Sequence, residues 1–251
     1  MMVVNNKQAK PIVFPRGDGP LVSVLMPTRR SHLLWNSIDS LFRLAKDWSL
    51  IEVILKVDSD DFKSIILGIQ LAEIFPLRMI VSARGRGYKD FHLWVNTMCL
   101  QARGDWLFIF NDDCFLETYN WDQKLLHASV IDGTWHGVKD VCGLVTYDIR
   151  DPPSTGFVFV RKKVFDLIGY YSLIPHCDTW ITNILRRVSS LHRFDEVRLS
   201  HRIGDGFDST YIEGNPARTP QYASISNQLE ITQQQDADTL KKYIKHYQSS
   251  Q

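Results

Sequence analysis

Short apolar runs alternate with longer stretches of helical spacing through the first half of the chain. Residues 21–26 (LVSVLM) have the pattern of a buried strand, which Pro27 stops and the polar run Thr28-Arg29-Arg30-Ser31 follows. Ser31 is a candidate cap for a helix whose apolar residues Leu34, Ile38, Leu41, Phe42 and Ala45 fall on one side. Residues 51–57 repeat the strand pattern. Ser59 or Asp60 is placed to cap a second helix with Phe62, Ile65, Ile66 and Ile69 on one face, Asp61 also reads as a capping residue, and residues 77–82 form a third strand. A basic loop carrying Arg84, Arg86 and Lys89 leads to a helix with Phe91, Val95, Met98 and Ala102 inward, closed by Gly104. Residues 106–110 are a fourth, fully apolar strand.

Strands alternating with helices in this way predict an α/β fold with a mostly parallel central sheet and helices on both faces. Such sheets bind ligands in the crevice outside the carboxyl ends of their strands. The informative residues are therefore those just after each strand, at 27–30, 57–61, 82–89 and 111–114. The second half is less regular, with strands near 141–147 and 156–160, helices near 162–168 and 178–188, and a strand over 195–200 ending before His201. From Gln228 the chain is polar, and Leu240, Tyr243, Ile244 and Tyr247 recur at helical spacing. One domain over 1–227 with a partly amphipathic tail helix over 228–251 is the expected organisation.

Composition narrows the class. With 44% hydrophobic and 23% charged residues in 251, the chain is neither disordered nor fibrous. Its 29 basic and 28 acidic side chains leave a net charge of +1, too little for wholesale binding to nucleic acid or a membrane surface. Cys99, Cys114, Cys142 and Cys177 are far apart and form no CxxC pair, so they read as reduced core thiols. The sequence shows neither the charged start and apolar stretch of a signal peptide nor a run of the ~20 apolar residues that span a membrane. A cytoplasmic location is expected.

The strongest chemical signal is Phe108-Ile109-Phe110-Asn111-Asp112-Asp113, adjacent carboxylates directly after a buried strand at the ligand edge. A hard divalent cation takes such oxygen ligands and bridges them to a diphosphate, whereas a bare Asn-Asp-Asp turn would only cap the next element. Asp58 ends the second strand and is placed to accept hydrogen bonds from a base or ribose. Arg84, Arg86 and Lys89 offer positive charge for phosphate, or simply a solvated basic loop.

These segments form a spaced series. VSVLMPTRR, EVILKVDSDD and the stretch containing Asn96, Ala102, Gly104 and the terminal Asp112-Asp113 together resemble the family-2 type of glycosyltransferase with the GT-A fold. The resemblance covers about residues 20–115 well and the remainder to about 205 more loosely. It implies a single GT-A-like domain in which Pro27, Thr28 and Arg29 line the nucleotide pocket, Asp58 contacts the base and Arg86 belongs to the nucleotide-sugar site. Asp112 would hold the ribose or bridge to the metal, and Asp113 would coordinate Mn2+ or Mg2+ in a DxD-type motif whose first position is Asn111. The segment Ser154-Thr155-Gly156-Phe157 resembles the loop that borders the donor sugar, with Gly156 allowing close approach. Asp178 sits where the family places its catalytic base, although the usual partner acid is Cys177 here. His201 resembles the histidine that reaches the metal or diphosphate.

What the resemblance implies is a metal-dependent inverting transfer of a sugar from a nucleoside-diphosphate sugar, most commonly UDP-linked, to a glycan or other hydroxyl acceptor. Asp178 would take the acceptor proton as that oxygen attacks the anomeric carbon. Two other readings stand beside it. Asn111 and Cys177 in place of acids suggest a non-catalytic nucleotide-sugar binder or degenerate subunit, and a sugar-nucleotide pyrophosphorylase would share the architecture but wants a glycine-bearing first loop. Dinucleotide and P-loop folds lack their glycine turns here, since no glycine lies between Gly19 and Gly68. Trp135, Tyr170, Tyr171 and Trp180 could stack on a sugar, but aromatics at such positions are more often core, and the tail over 228–251 offers a contact surface for a homo-oligomer.

Overall fold

The computed structural model describes residues 19–29, 32–130, 140–150, 157–202 and 221–250. The first half comprises β1 (Val22–Thr28), α1 (Leu34–Arg43), β2 (Ile51–Asp58), α2 (Phe62–Ala72), β3 (Leu77–Ser82), α3 (Phe91–Gln101) and β4 (Trp106–Ile109). The second half adds β5 (Cys114–Leu116), α4 (Trp121–Val130), β6 (Gly143–Asp148), β7 (Val158–Arg161), α5 (Lys162–Ile168), α6 (Cys177–Arg187), β8 (Leu191–His201) and α7 (Gln221–Ser249).

All eight strands join one sheet in the order β3-β2-β1-β4-β7-β6-β8-β5. β1 runs parallel to β2 and β4, β2 parallel to β3, and β6 parallel to β8. β7 is antiparallel to β4 and β6, and β5 is antiparallel to β8. The parallel half is the part predicted from strand and helix alternation. After β1 the chain builds β2 and β3 on one side, then returns to place β4 on the other. The carboxyl ends of β1 and β4 thus flank a topological switch point, where open α/β sheets bind ligands.

Burial on both faces explains why these strands read as continuous apolar runs. On one face Val24, Val53, Val57 and Phe108 pack against Ile38 and Phe42 of α1, Leu71 of α2, and Trp121 and Leu125 of α4. The other face sets Leu25, Ile54, Leu107 and Ile109 against Val95 and Met98 of α3, Val164 of α5, and Ile181 and Ile184 of α6. Ala237 and Leu240 of α7 are fully buried in that second layer. The helix expected over 228–251 thus begins at Gln221 and docks, with Tyr170 Oη donating to Asp236 Oδ2 at 2.6 Å and Arg187 donating to Gln234 at 3.1 Å. Among the described residues no helix is long and apolar enough to cross a membrane.

Several local expectations are corrected. α2 is rotated: Phe62, Ile66 and Ile69 are exposed, whereas Ser64, Gly68 and Leu71 face inward. The reason is the close approach at Gly68, where a Cβ would lie 2.7 Å from Met79 Sδ, together with Asp61, whose carboxylate caps the helix by accepting from Ser64 N at 3.3 Å and also accepts from Ser64 Oγ at 2.7 Å. Asp60 does not cap at all and pairs with Arg29 instead. The N-cap of α1 is Leu33, with no side-chain cap bond; Ser31 lies outside the described residues, as do Arg30 and Trp135. Gly104 is not the cap of α3, which ends at Gln101 with Ala102 as its C-cap. It is required because a Cβ there would meet Ser23 N at 2.5 Å, and its own N–H donates to Ser23 Oγ at 2.8 Å.

Ser23 belongs to a polar latch at the amino ends of the strands, opposite the crevice. Glu52, in β2, accepts from Ser23 Oγ at 2.6 Å, Arg103 N at 2.7 Å, Arg103 Nε at 3.0 Å and Arg78 Nη2 at 2.9 Å. Burial alone would push the Glu52 carboxyl up, but these donors hold it below its ordinary value. Cys99, Cys114, Cys142 and Cys177 are all buried free thiols.

Candidate functional site

The acidic segment after β4 forms a β-turn. Cys114 N donates to Asn111 O at 3.0 Å, so Asp112 and Asp113 occupy the two central positions, and Ser37 Oγ from α1 also donates to Asn111 O at 3.3 Å. Thr28, at the end of β1, donates its hydroxyl to Asp112 Oδ2 at 2.5 Å, which ties the two sides of the switch point together. Directly after the turn, β5 pairs with the end of β8 so that Cys114 faces His201, and Arg202 N extends the ladder to Asp113 O at 3.1 Å. This register brings His201 Nε2 to 3.1 Å from Asp113 Oδ1.

His201 is fixed from two further directions. The Phe157 ring meets the imidazole edge to face with centroids 5.3 Å apart, and the His201 backbone N–H donates to Asp148 Oδ1 at 3.3 Å. Asp148 ends β6, is buried, and also accepts from Arg150 N at 3.0 Å. The sequence reading passed over Asp148, yet its signal was present: a carboxylate at the carboxyl end of a strand, as at Asp58.

Asp113, Cys114 and His201 place one ligand atom each within 4.8 Å of one another. Cations of this class bind ligands at roughly 2.1 Å, so two ligands in adjacent octahedral positions lie roughly 3 Å apart. The Asp113–His201 separation of 3.1 Å fits that spacing. Burial, reinforced by the neighbouring Asp113 charge, pushes the Cys114 thiol well above its ordinary value. It is then a neutral, soft group unsuited to a hard ion. Of the three, Asp113 and His201 are the residues that could hold a hard divalent cation.

The nucleotide residues predicted after β1 and β2 also meet. Arg29 Nη1 donates to Asp58 Oδ2 at 2.7 Å and to Asp60 Oδ1 at 2.7 Å, while Nη2 donates to Asp60 Oδ2 at 3.0 Å. The Asp60 hydrogen bonds, opposed by burial and aided by Asp58, push the guanidinium pKa up. Pro27 is in register with Lys56 of β2, a fully buried lysine whose ammonium donates to Asp58 Oδ1 and lies 3.9 Å from the centroid of the Trp94 ring. Burial pulls the Lys56 pKa down while Asp58 opposes that pull. Lys56 was not singled out in the sequence. Its signal was a charge inside an apolar strand two residues before Asp58, hence on the same face of the sheet.

The remaining expected residues fall into three groups. Arg86 donates through its backbone N–H at 2.8 Å, Nε at 2.9 Å and Nη2 at 2.6 Å to the Asp90 carboxylate, so its guanidinium is engaged within its own loop. Asp178 is the second residue of α6; the N-cap is His176, which offers no side-chain cap bond, while Tyr88 Oη lies 3.3 Å from His176 Nδ1. Cys177 is buried and, pushed up by that burial, holds a neutral thiol directed at Ile174 O at 3.6 Å. Ser154, Thr155 and Gly156 lie outside the described residues. Tyr171 and Trp180 are fully buried core residues.

No family model matches the sequence, and no curated protein sequence matches it. Solved structures do. The mannosyltransferase PcManGT from Pyrobaculum calidifontis, in complex with GDP-Man and Mn2+, matches at TM-score 0.57 and 14% identity, over 88% of this chain and 73% of that one. S. aureus TarS 1-349 matches at TM-score 0.56 and 12% identity over 92% of both chains. The chain has the GT-A-type fold. TarS 1-349 in complex with UDP-GlcNAc also matches, at TM-score 0.54 and 14% identity over 75% of this chain and 60% of that one. At these identities the likeness is one of fold. Within the GT-A-type frame, the crevice at the carboxyl ends of β1, β2 and β4 gathers Thr28, Arg29, Asp58, Asp112, Asp113 and His201.

Proposed function

We propose that this protein is a metal-dependent inverting glycosyltransferase that moves a sugar from a nucleoside-diphosphate sugar to a hydroxyl acceptor. The observation that carries the reading is the meeting of Asp113 and His201 at 3.1 Å beside Thr28 and Asp112, at the switch point of a fold shared with glycosyltransferases. Asp113 and His201 would hold Mn2+ or Mg2+, which when bound supplies positive charge against the departing diphosphate. Pro27, Thr28 and Arg29 would line the nucleoside pocket, Asp58 would accept from the base, and Asp112 would hold the ribose. Gly156 and Arg86 complete the proposed donor site, Arg86 only after leaving Asp90.

In the transfer step the acceptor oxygen bonds to the anomeric carbon as the bond from that carbon to the diphosphate oxygen breaks. Asp178 takes the acceptor proton, the nucleoside diphosphate departs with the electron pair, and attack from the opposite face inverts configuration. The neutral, buried Cys177 does not serve as a base there, and of the two titratable neighbours at the start of α6, His176 and Asp178, we take Asp178.

The test is a thermal-shift panel of UDP, GDP, CDP, ADP and TDP with and without Mn2+, on the wild type and on Asp113→Ala. A nucleotide at about 100 times its Kd adds about 2.7 kcal/mol, roughly 5–10 °C for a chain of this size. One nucleotide should give that shift only with Mn2+ and only with Asp113 present. No shift with any nucleotide overturns the reading. A second reading, a non-catalytic nucleotide-sugar binder, draws on Asn111 and Cys177 standing where acids are expected. Donor hydrolysis by the wild type that is lost in Asp178→Ala favours the enzyme, whereas nucleotide binding without sugar release favours the binder.

A further inference from the structure

Asp58 carries two cations, and they are not equivalent. The Lys56 ammonium donates to Oδ1 from within the layer under the sheet, backed by the Trp94 ring, and both side chains of the pair are only 2% exposed. Arg29 donates to Oδ2 at 2.7 Å and is shared with Asp60, whose side chain is 60% exposed. A buried carboxylate stripped of its only partner is strongly destabilising, so a releasable cation requires a second one that stays. Lys56 is the fixed partner. Arg29, already bound through two donors to Asp60, can turn away while Asp58 remains paired.

The two oxygens of Asp58 then differ in what they can offer a ligand. Oδ1 is committed to Lys56, and Oδ2 is the oxygen on the Arg29 side. A carboxylate with both oxygens open suits two adjacent N–H donors, such as N1–H and the 2-amino group of guanine. A carboxylate with one open oxygen takes a single N–H, such as N3–H of uracil, whose flanking carbonyls suit a guanidinium donor. The fold does not decide between these bases, since structures sharing it were solved with GDP-Man and with UDP-GlcNAc.

We propose that Lys56 sets base specificity, holding Oδ1 of Asp58 so that the pocket presents one acceptor oxygen and selects uracil over guanine. The assignment rests on the nucleotide-sugar reading above. Lys56 is a positioning residue that touches no reacting atom, and its signature is a ratio of affinities rather than an affinity.

Calorimetric titration of UDP, GDP and inosine diphosphate with Mn2+ tests it on the wild type, Lys56→Met and Lys56→Gln. One hydrogen bond to a charged group corresponds to roughly tenfold or more in affinity, which sets the thresholds. The wild type should prefer UDP to GDP by at least about tenfold and bind GDP and inosine diphosphate alike, because the 2-amino group finds no second oxygen. Lys56→Met frees Oδ1, so the UDP preference should shrink and GDP should overtake inosine diphosphate. Lys56→Gln, whose amide still donates to Oδ1, should keep the wild-type ratios. A structural role alone would weaken all three ligands together and leave the ratios in place. A wild type that prefers GDP to inosine diphosphate, or a folded Met variant with wild-type ratios, overturns the Lys56 assignment and leaves the nucleotide reading intact. Should the Met variant not fold, the wild-type comparison of GDP with inosine diphosphate decides alone. Binding of none of the three to the wild type overturns the Lys56 assignment, and the nucleotide reading falls with it only if CDP, ADP and TDP also fail to bind in the panel above.

Discussion

Replacing Glu52 with Met tests the latch at the amino ends of the strands, because Met keeps the length of the side chain and removes both acceptor oxygens. Of the donors to Glu52, the Arg103 and Arg78 side chains are 62% and 39% exposed, so their ion pairs contribute little and their guanidinium groups can return to water. The Ser23 hydroxyl is fully buried and has no such exit, the part-buried Arg103 backbone N–H loses its acceptor as well, and each orphaned donor costs about 1–3 kcal/mol. The expected loss is about 3 kcal/mol, a fall in Tm of roughly 6–12 °C for a chain this long. Acid supplies the second arm. Burial works to raise the Glu52 carboxyl, but the Ser23, Arg103 and Arg78 donors more than offset it, so the folded pKa lies below the ordinary 4.5. A depressed folded pKa contributes stability that is complete above pH 4.5 and is lost as pH falls through the folded value. Calorimetric melts from pH 7 downward should therefore show the gap between wild type and Glu52→Met narrowing below pH 4.5. A gap under about 2 °C at neutral pH, or one that widens in acid, would refute the reasoning.

Three further outcomes follow from the same contacts. Gly104→Ala places a Cβ 2.5 Å from Ser23 N and 2.7 Å from Val22 C, and the forced backbone shift should cost about 1–3 kcal/mol in urea unfolding; an unchanged midpoint would show that the approach is not that close. Leu240→Ala should cost about 2–5 kcal/mol in the same assay, because Leu240 is fully buried between α7 and the layer it covers, whereas an undocked tail would lose nothing measurable. His201→Ala should weaken Mn2+ binding, followed by titration of Mn2+ into the protein with nucleotide present, by at least about tenfold; an unchanged Mn2+ affinity removes His201 from the metal site.

The parallel half of the fold was legible because its strands are buried on both faces and its helices carry one apolar stripe. Strand and helix patterns there differ sharply in period. The face of α2 was misplaced for a reason the period does not carry: Ile65, Ile66 and Ile69 offer two competing stripes, and the small residues Ser64 and Gly68 decide the rotation by how closely they let the helix approach Met79. β5 escaped notice because three residues hold no period, and α4 because Trp121, Leu125 and Ala128 are spaced among polar residues and form only a narrow stripe, so the Asn120 ahead of them read as part of a loop. At the site, Asp58, Asp112 and Asp113 stood out as carboxylates after apolar strands. Lys56 and Asp148 did not, since each acts through a neighbour that only the folded sheet brings near.

The arrangement divides labour between the two halves of the sheet. The parallel strands supply the groups that would face the nucleoside, while His201 arrives from the far end of the chain through the antiparallel pairing of β5 with β8. Because strand register sets which side chains face each other, a slip of one residue would put Ser200 or Arg202 opposite Cys114 and carry the imidazole away from Asp113. Hydrogen bonds outside the ladder oppose that slip. Leu116 N donates to Ser40 Oγ at 3.1 Å, Arg198 N to Thr118 Oγ1 at 2.9 Å, and Ser200 Oγ to Glu117 Oε1 at 2.6 Å. Each of these partners is polar, and by holding the register each would bear on the proposed Asp113–His201 metal site. Their loss should therefore show first as weakened Mn2+ binding, before any change in the nucleoside contacts of β1 and β2.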